Sequence, residues 1–174
     1  KPFYIYVPRH KSNFSNAQKV LESSGLNFVK RSQILDPNLE LKNLFEMQFS
    51  ELDGLIGDSF GEINFYFCIA NYVFIGNSFN NLGSHNVIEP LALRKPVVVG
   101  PSIWGIEYPV IEALEAGVIK KVETIEDFYE HWLGQLVCSE KDFLEQSQLK
   151  EFYNLHSGAV RRFIEKLETY GYLP

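Results

Sequence analysis

The 174 residues, of which 45% are hydrophobic and 22% charged, suffice for about one globular domain with a sizeable core. The net charge of −6 argues against nucleic acid as the main partner, because phosphate backbones recruit basic surfaces. No apolar run approaches the about 20 residues of a membrane-spanning helix. Cys68 and Cys138 lack the spacing of a zinc site, and Cys68, in an apolar stretch, is predicted to be a small core residue.

Apolar strand-like runs alternate with segments of helical periodicity along the chain. The predicted elements are a strand over 3–7, a helix over 13–24, a strand over 27–31, a strand over 52–57, a helix over 62–71, a strand over 72–76, a helix over 87–94, a strand over 96–99, a helix over 107–117, a strand over 118–122 and helices near 124–136, 140–154 and 157–169. Ser12 or Ser15 is expected to cap the first helix and Gly25 to end it. Residues 32–52 stay undecided between a short helix and an extended connection, because Pro37 interrupts them.

This strict alternation predicts an α/β fold: a Rossmann-like parallel sheet with helices on both faces, in a single domain over 1–174. We also expect the chain to be a piece of a longer protein, because Lys1 and Pro2 lead directly into the first strand. Ligands of an open parallel sheet bind past the carboxyl ends of its strands, so the loops that follow the strands carry the functional information.

Two of these loops combine charged residues with glycines. Arg9, directly after the first strand, either offers a cation to a phosphate or carboxylate or is an ordinary surface residue. His10 is interpreted as a local hydrogen-bonding residue rather than a catalytic one. The segment 57–62 reads Gly-Asp-Ser-Phe-Gly-Glu and precedes a helix, whose first N–H groups favour anions. Alternatively, Asp58 or Ser59 caps this helix and Glu62 complements its dipole.

The loop over 76–90 is too rich in small and polar residues to form a core. Gly83 and Ser84 would let a ligand approach the backbone, and the helix that starts near Asn86 would point its free N–H groups at that ligand. Glu89, one turn into this helix, could accept hydrogen bonds from both hydroxyls of a ribose; the alternative is a capping role on a floppy loop. Trp104, after the next strand, is interpreted as covering the core rather than stacking on a ligand.

Several common catalytic motifs are missing from the sequence. It contains no GxSxG nucleophile elbow, no Walker GxxxxGK[ST] loop and no HExxH zinc motif. No GxGxxG follows the first strand, which disfavours a dinucleotide site of the NAD type.

The segments VPRH, GDSFGE, GNSFNNLGSHNVIEP and KPVVVGP, together with the pair Arg31-Ser32, resemble the C-terminal domain of the bacterial Kdo transferases of the lipid A pathway. The chain departs from the family pattern at Asn77 and Ser84, where glycines are frequent. The resemblance implies the C-terminal half of a GT-B glycosyltransferase, which binds CMP-Kdo while the N-terminal half holds the lipid A precursor. It also implies an inverting transfer at the cytoplasmic face of the inner membrane, with membrane contact only through the missing half.

The resemblance further implies site residues. Arg9 would face the CMP phosphate or the Kdo carboxylate, and Glu89 would hold the ribose. The remaining implied substrate-binding residues lie on the second and third loops: Phe60, Gly61, Glu62, Ser84, His85 and Asn86. The resemblance implies no cofactor and no bound metal, and it places the catalytic base in the missing half. This chain would therefore be soluble, bind the donor and be inactive alone.

Two alternatives remain. One is the donor-binding domain of another GT-B transferase that uses a UDP-sugar. The other is a non-catalytic flavodoxin-like binding module, which the basic residue Arg9 disfavours because phosphoacceptor receivers need acidic residues after the first strand. If the last helix crosses to the N-terminal domain in the full protein, Phe152, Tyr153 and Phe163 should be partly exposed here.

Overall fold

The computed structural model of the chain describes residues 1–42, 49–137 and 141–173, and it describes no side chains over 135–146. The described chain forms two compact units, Lys1–Ala70 and Asn71–Pro174. Each unit contains one parallel sheet of three strands.

The Lys1–Ala70 unit alternates strands with helices. Its elements are β1 (Tyr4–Tyr6), a 3-10 helix (Lys11–Asn13), α1 (Phe14–Ser23), β2 (Phe28–Lys30), α2 (Arg31–Ile34), a second 3-10 helix (Phe49–Glu51), β3 (Gly54–Ile56) and α3 (Ile63–Ile69). The central strand β3 pairs in parallel with β1 on one side and β2 on the other. The carboxyl ends of all three strands therefore lie at the same edge of this sheet.

The core of this unit packs on the central strand β3. Leu55 is buried there, and the other buried core members are Val29, Ile34, Leu35, Leu52 and Tyr66. Gly54, which begins β3, has no room for a side chain: an added Cβ would lie 2.2 Å from the Tyr4 carbonyl oxygen and 2.4 Å from the Phe28 ring. A glycine is therefore required at the point where the two neighbouring strands meet β3.

The Asn71–Pro174 unit has the same alternation, followed by helices. Its elements are β4 (Val73–Phe74), α4 (Ile88–Ala92), β5 (Val97–Val99), α5 (Glu107–Glu115), β6 (Ile119–Lys121), α6 (Ile125–Val137), α7 (Lys141–His156) and α8 (Ala159–Thr169). Strand β5 lies between β4 and β6 and pairs with both in parallel. All three valines of β5 are buried, as expected for a central parallel strand covered on both faces.

The predicted strands and helices are all present, and most are shorter than predicted. The parallel α/β class is confirmed. Gly25 follows α1 with a φ of +76°, as predicted for a residue that ends a helix. The predicted cap of α1 is wrong: Asn13 occupies the N-cap, and no side chain caps this helix end. The single domain over 1–174 stays a prediction.

Two helices of the second unit differ from their predicted form. Helix α4 ends at Ala92, and Arg94 takes a φ of +55°, which is incompatible with a helix continuing to residue 94. Helix α5 contains non-helical dihedral angles at Tyr108 and Pro109, because proline cannot continue a regular helix.

The structure assigns secondary structure to only part of the segment 32–52, for which the sequence left a helix and an extended connection open. Its first residues form α2 together with Arg31, so the predicted strand over 27–31 ends one residue early. A short antiparallel bridge joins Leu35 and Leu41, and residues 43–48 lie outside the described part. Cys138 and the first residue of the helix predicted near 140–154 also lie outside it.

Side-chain burial corrects two predictions. Cys68 is exposed, so its predicted place in the core is wrong: in α3 only Tyr66 is buried, and Cys68 lies on another side of the helix. Phe152 is buried, whereas Tyr153 and Phe163 are exposed, so the exposure predicted for the three aromatic residues is wrong for Phe152 alone. None of the described helices combines the length and the apolar character that crossing a membrane requires.

Candidate functional site

The loop after β1 presents an uncommitted cation. Pro8 is buried and fixes the chain as it leaves the strand, whereas Arg9 and His10 are exposed. Within the described ranges, the Arg9 guanidinium forms no ion pair and no hydrogen bond. An exposed guanidinium at the carboxyl end of a strand can bind a phosphate or a carboxylate through two parallel hydrogen bonds.

The loop after β3 spans residues 57–62 and lies at the same sheet edge. The Gly57 N–H donates to the Tyr6 carbonyl at 2.9 Å, which extends the β1–β3 pairing into the loop. Phe60 is 64% exposed, and its ring centroid lies 5.7 Å from that of Phe14. Gly61 has a φ of +77°, with open space where a side chain would point. Phe60 and Gly61 are therefore the accessible part of this loop.

Both carboxylates of this loop bind residues at the start of α2. Asp58 accepts hydrogen bonds from the backbone N–H of Ser32 at 2.9 Å and from its hydroxyl at 2.6 Å. Glu62 accepts one from the buried guanidinium of Arg31 at 2.5 Å through Oε1, and one from Ser59 through Oε2. Neither Asp58 nor Ser59 caps helix α3 with its side chain. The carboxylate of Glu62 is engaged within the protein, so its proximity to a nucleotide stays a prediction.

Tyr66 lies beneath this loop. Its hydroxyl lies 3.2 Å from Ser59 Oγ and 3.5 Å from Glu62 Oε2. Burial raises the pKa of Tyr66, and the Glu62 carboxylate acts in the same direction. The phenol therefore stays protonated at neutral pH and keeps its donor hydrogen. The ring also explains Gly57, where an added Cβ would lie 2.9 Å from the ring atom Cζ.

The loop after β4 is anchored by Ser78, which is fully buried. Its hydroxyl donates to the Ile75 carbonyl at 2.6 Å and accepts from the Gly100 N–H at 2.7 Å, while its own carbonyl accepts from the Ser102 N–H at 2.9 Å. An added Cβ at Gly100 would lie 2.6 Å from the Ser78 carbonyl oxygen. The loops after β4 and β5 are therefore in close backbone contact.

Replacing Ser78 by alanine is expected to lower the free energy of unfolding by about 1–3 kcal/mol, because the buried Gly100 N–H and Ile75 C=O lose their partner. Urea denaturation measures the change. The exposed Ser23 offers a matched control, since its hydroxyl also donates to a backbone carbonyl, at 2.7 Å, but in contact with water. Equal effects of the two Ser→Ala changes would contradict the anchoring role of Ser78.

The glycine-serine-histidine turn of this loop is also held internally. Asn77, with a φ of +68°, donates through its side chain to the Gly83 carbonyl at 2.7 Å. Ser84 donates its N–H to the Trp104 carbonyl at 3.0 Å and its hydroxyl to the Ser102 carbonyl at 2.7 Å. The His85 N–H donates to the Gly76 carbonyl at 3.4 Å. Both donors of Ser84 are engaged, so its predicted contact with a phosphate would require other groups of the turn.

Trp104 is 61% exposed, so the prediction that it covers the core is wrong. Its ring carbon Cε3 lies 3.8 Å from the position of a Cβ on Gly83, and its carbonyl holds Ser84. The indole thus lies beside the turn at Gly83 and leaves most of its surface accessible.

Glu89 is the accessible carboxylate of the third loop. It is exposed in the first turn of α4 and forms no side-chain hydrogen bond or ion pair within the described ranges. Fewer N–H groups than predicted are free to bind an anion at this helix start. The Ile88 N–H donates to the Asn86 side chain at 2.9 Å, and Pro90 has no N–H. The Glu89 carboxylate is therefore the more accessible polar group here, and its predicted contact with a ribose stays a prediction.

The structure groups the predicted residues within each unit. Arg9, Phe60, Gly61 and Glu62 lie on loops after adjacent parallel strands of the first unit, and the segment 84–89 forms one turn and helix start of the second. The spacing of the motifs did not reveal three structural residues: Tyr66, Ser78 and Gly100. The Arg31-Ser32 pair was part of the family pattern, but the sequence did not reveal that these two residues bind the loop 57–62. Among the described residues, no cluster of His, Cys, Asp or Glu could hold a metal ion.

Parallel strands followed by polar, glycine-containing loops define an α/β protein whose loops lie at the carboxyl ends of its strands, the edge at which open parallel sheets bind ligands. No family model matches the chain. It is 28% identical over 172 residues to the 3-deoxy-D-manno-octulosonic acid transferase of Bordetella pertussis, a match that covers 98% of this chain and 37% of that protein. The enzyme of the same name from Haemophilus influenzae is 26% identical over 168 residues, which cover 95% of this chain and 36% of the relative. The chain thus spans about a third of the length of these relatives.

A solved structure shares the fold. It is the C-terminal CMP-Kdo binding domain of WaaA from Acinetobacter baumannii, with a TM-score of 0.73, 23% identity, and coverage of 86% of this chain and 72% of that one. Chlamydia trachomatis has a 3-deoxy-D-manno-octulosonic acid transferase that is 30% identical over 127 residues, covering 71% of this chain and 26% of that protein. The resemblance to Kdo transferases is confirmed, because proteins named 3-deoxy-D-manno-octulosonic acid transferase match the chain in sequence, and the solved CMP-Kdo binding domain has its fold.

Proposed function

We propose that this chain is the donor-binding part of a Kdo transferase and that its donor is CMP-Kdo. The observation that carries the proposal is the match to Kdo transferases over 98% of the chain, together with the fold of a CMP-Kdo binding domain. The exposed Glu89 carboxylate and the exposed Arg9 guanidinium supply the chemistry that a nucleotide requires, since one accepts hydrogen bonds from hydroxyls and the other pairs with an anion.

In this proposal each loop has one task. The Glu89 carboxylate accepts hydrogen bonds from the ribose hydroxyls of CMP, and Arg9 pairs with the phosphate or with the Kdo carboxylate. CMP leaves readily only when the charge that develops on its phosphate is stabilised, and the positive charge of Arg9 would provide this stabilisation. Phe60 and Gly61 offer an accessible ring and an accessible backbone close to the donor.

The proposal assigns acceptor binding and catalysis to a part of the enzyme outside this chain. The relatives are about three times as long as the chain, which leaves room for a second half with the catalytic base and the lipid A precursor site. The whole enzyme would act at the cytoplasmic face of the inner membrane. The chain alone would bind CMP and transfer nothing, because catalysis requires both substrates to be held together.

Titration with CMP, followed by the backbone amide resonances of 76–90, tests the proposal. We expect CMP to shift these resonances and 2′-deoxy-CMP to bind more weakly, because one of the two hydroxyl partners of Glu89 is missing. The Glu89→Gln variant should bind CMP about tenfold more weakly and lose most of the preference for CMP over 2′-deoxy-CMP, since a neutral amide accepts weaker hydrogen bonds than a carboxylate.

Glu115→Gln is the matched control, because Glu115 is an exposed helical glutamate that forms no side-chain hydrogen bond or ion pair within the described chain. It should leave the CMP affinity unchanged. An absence of shifts over 76–90 would refute CMP as the nucleotide. Equal shifts with UMP and UDP would also refute a preference for CMP, and they would favour a transferase that uses a UDP-sugar.

A further inference from the structure

Arg31 is one of two buried polar or charged side chains of the described chain, with 5% of its surface exposed. It is the first residue of α2, directly after strand β2. One guanidinium nitrogen donates to Glu62 Oε1 at 2.5 Å, and the other terminal nitrogen donates to the Leu35 carbonyl at 3.3 Å. Its Nε is buried without a hydrogen-bond partner in the described structure. The guanidinium is thus enclosed by protein and is not placed to bind a ligand from solvent.

The side chains of Arg31 and of the next residue, Ser32, both bind the loop 57–62. Strands β2 and β3 are parallel neighbours, and Lys30 pairs with Ile56, so the residues that follow these strands meet at one edge. Arg31 binds Glu62, and the next residue, Ser32, binds Asp58 through its N–H and its hydroxyl. The loop 57–62 is therefore fixed at its second and last residues by two consecutive residues of another segment.

Stability alone does not account for such a pair. Removing two charges from water costs about as much free energy as their attraction returns, so an apolar pair of similar size would serve the core equally well. What an apolar pair cannot do is fix the direction of a carboxylate. Here the fixed Glu62 also accepts a hydrogen bond from Ser59, next to Phe60 and Gly61, the accessible part of the loop.

We propose that Arg31 is a positioning residue for donor binding: it fixes Glu62, and through it the Ser59–Gly61 segment, in the shape that the donor requires, without touching the donor. This inference rests on the proposed function. A loop that is ordered before binding loses less conformational entropy when the ligand arrives, which raises the affinity.

CMP affinities of Arg31 variants test the inference, at a temperature where amide spectra show each variant to be folded. We expect Arg31→Ala to bind CMP at least about tenfold more weakly, and Arg31→Lys to lie between Arg31→Ala and the unmodified chain. Guanidinium chloride below denaturing concentration should restore much of the affinity of Arg31→Ala by occupying the vacated space. Sodium chloride at equal ionic strength should not. Arg161→Ala is the matched control, since Arg161 pairs with Glu165 on the exposed surface of α8.

The amide resonances of 58–62 without nucleotide give a second readout. Displaced resonances together with weakened CMP binding support the inference. A normal CMP affinity in Arg31→Ala refutes the positioning role while the proposed function stands. No CMP binding by the unmodified chain refutes the proposed function and the donor role of Arg31 with it. Should Arg31→Ala fail to fold, Ser32→Ala and Ser59→Ala replace it, because each removes one hydroxyl donor from the same network; unchanged CMP affinity in both would overturn the inference.

Discussion

Replacing Arg31 by methionine is expected to lower the free energy of unfolding of the Lys1–Ala70 unit by about 3–5 kcal/mol. Methionine fills most of the space of the arginine stem, so the loss arises from the charge and not from a large cavity. Glu62, whose side chain is 19% exposed, would keep a partly buried carboxylate without its cationic partner. Leaving one member of a buried pair uncompensated is among the costliest single changes in a protein.

The double variant Arg31→Met/Glu62→Met distinguishes this cause from a loss of packing. We expect it to recover more than half of the lost free energy, because neither charge is then left buried. Hydrogen exchange at the Val29 and Leu55 amides, in β2 and β3, reports the stability of this unit separately from the other. Single and double variants of equal stability would show that the loss comes from packing and not from the unpaired Glu62 carboxylate.

Replacing Gly54 by alanine is expected to cost about 3 kcal/mol in the same unit, through overpacking. The added methyl group would meet the Tyr4 carbonyl oxygen at 2.2 Å, which is backbone and cannot rotate away. It would also meet the Phe28 ring at 2.4 Å. The central strand must therefore move away from both neighbours, which weakens the two sets of strand pairing at once.

Gly134→Ala is the opposite case and the control. Gly134 lies within helix α6, and no described atom lies within 4 Å of an added Cβ. Alanine should raise the free energy of unfolding there by about 0.5–1 kcal/mol, because glycine is a poor helix former. Thermal unfolding and hydrogen exchange compare the two variants. A Gly54→Ala variant as stable as the unmodified chain would mean that β3 can shift freely between its neighbours.

The order of elements was readable from the sequence, because a strand covered on both faces must be apolar throughout. Val97–Val99 is such a run, and it forms the central strand of its sheet. The ends of elements were less readable. Helix α4 stops early because Arg94 takes a positive φ, a conformation that no pattern of apolar residues reveals. Cys68 shows a related limit: in a short apolar helix, composition alone does not tell which face is buried.

The sequence predicted which loops form the candidate site, but it did not predict the hydrogen bonds that join these loops to other segments. Exposed groups such as Arg9 and Glu89 could be found because their loops follow strands, a rule of the fold. The engagement of Glu62 by Arg31 could not, because a pair separated by 31 residues depends on the register of two strands. The hydrogen bond of the Ser84 hydroxyl could not be predicted for the same reason, since its partner Ser102 follows a different strand.

The pairing of Arg31 with Glu62 also changes the electrostatic character of this sheet edge. The chain as a whole carries −6, and the loop 57–62 contributes two carboxylates. Arg31 cancels the charge of Glu62, and the exposed Arg9, on the loop of the neighbouring strand, offsets that of Asp58. These four groups sum to zero. More distant carboxylates are screened beyond about 8 Å at physiological ionic strength. In an acidic protein, these four groups therefore exert no net repulsion on an anion that approaches this edge of the sheet.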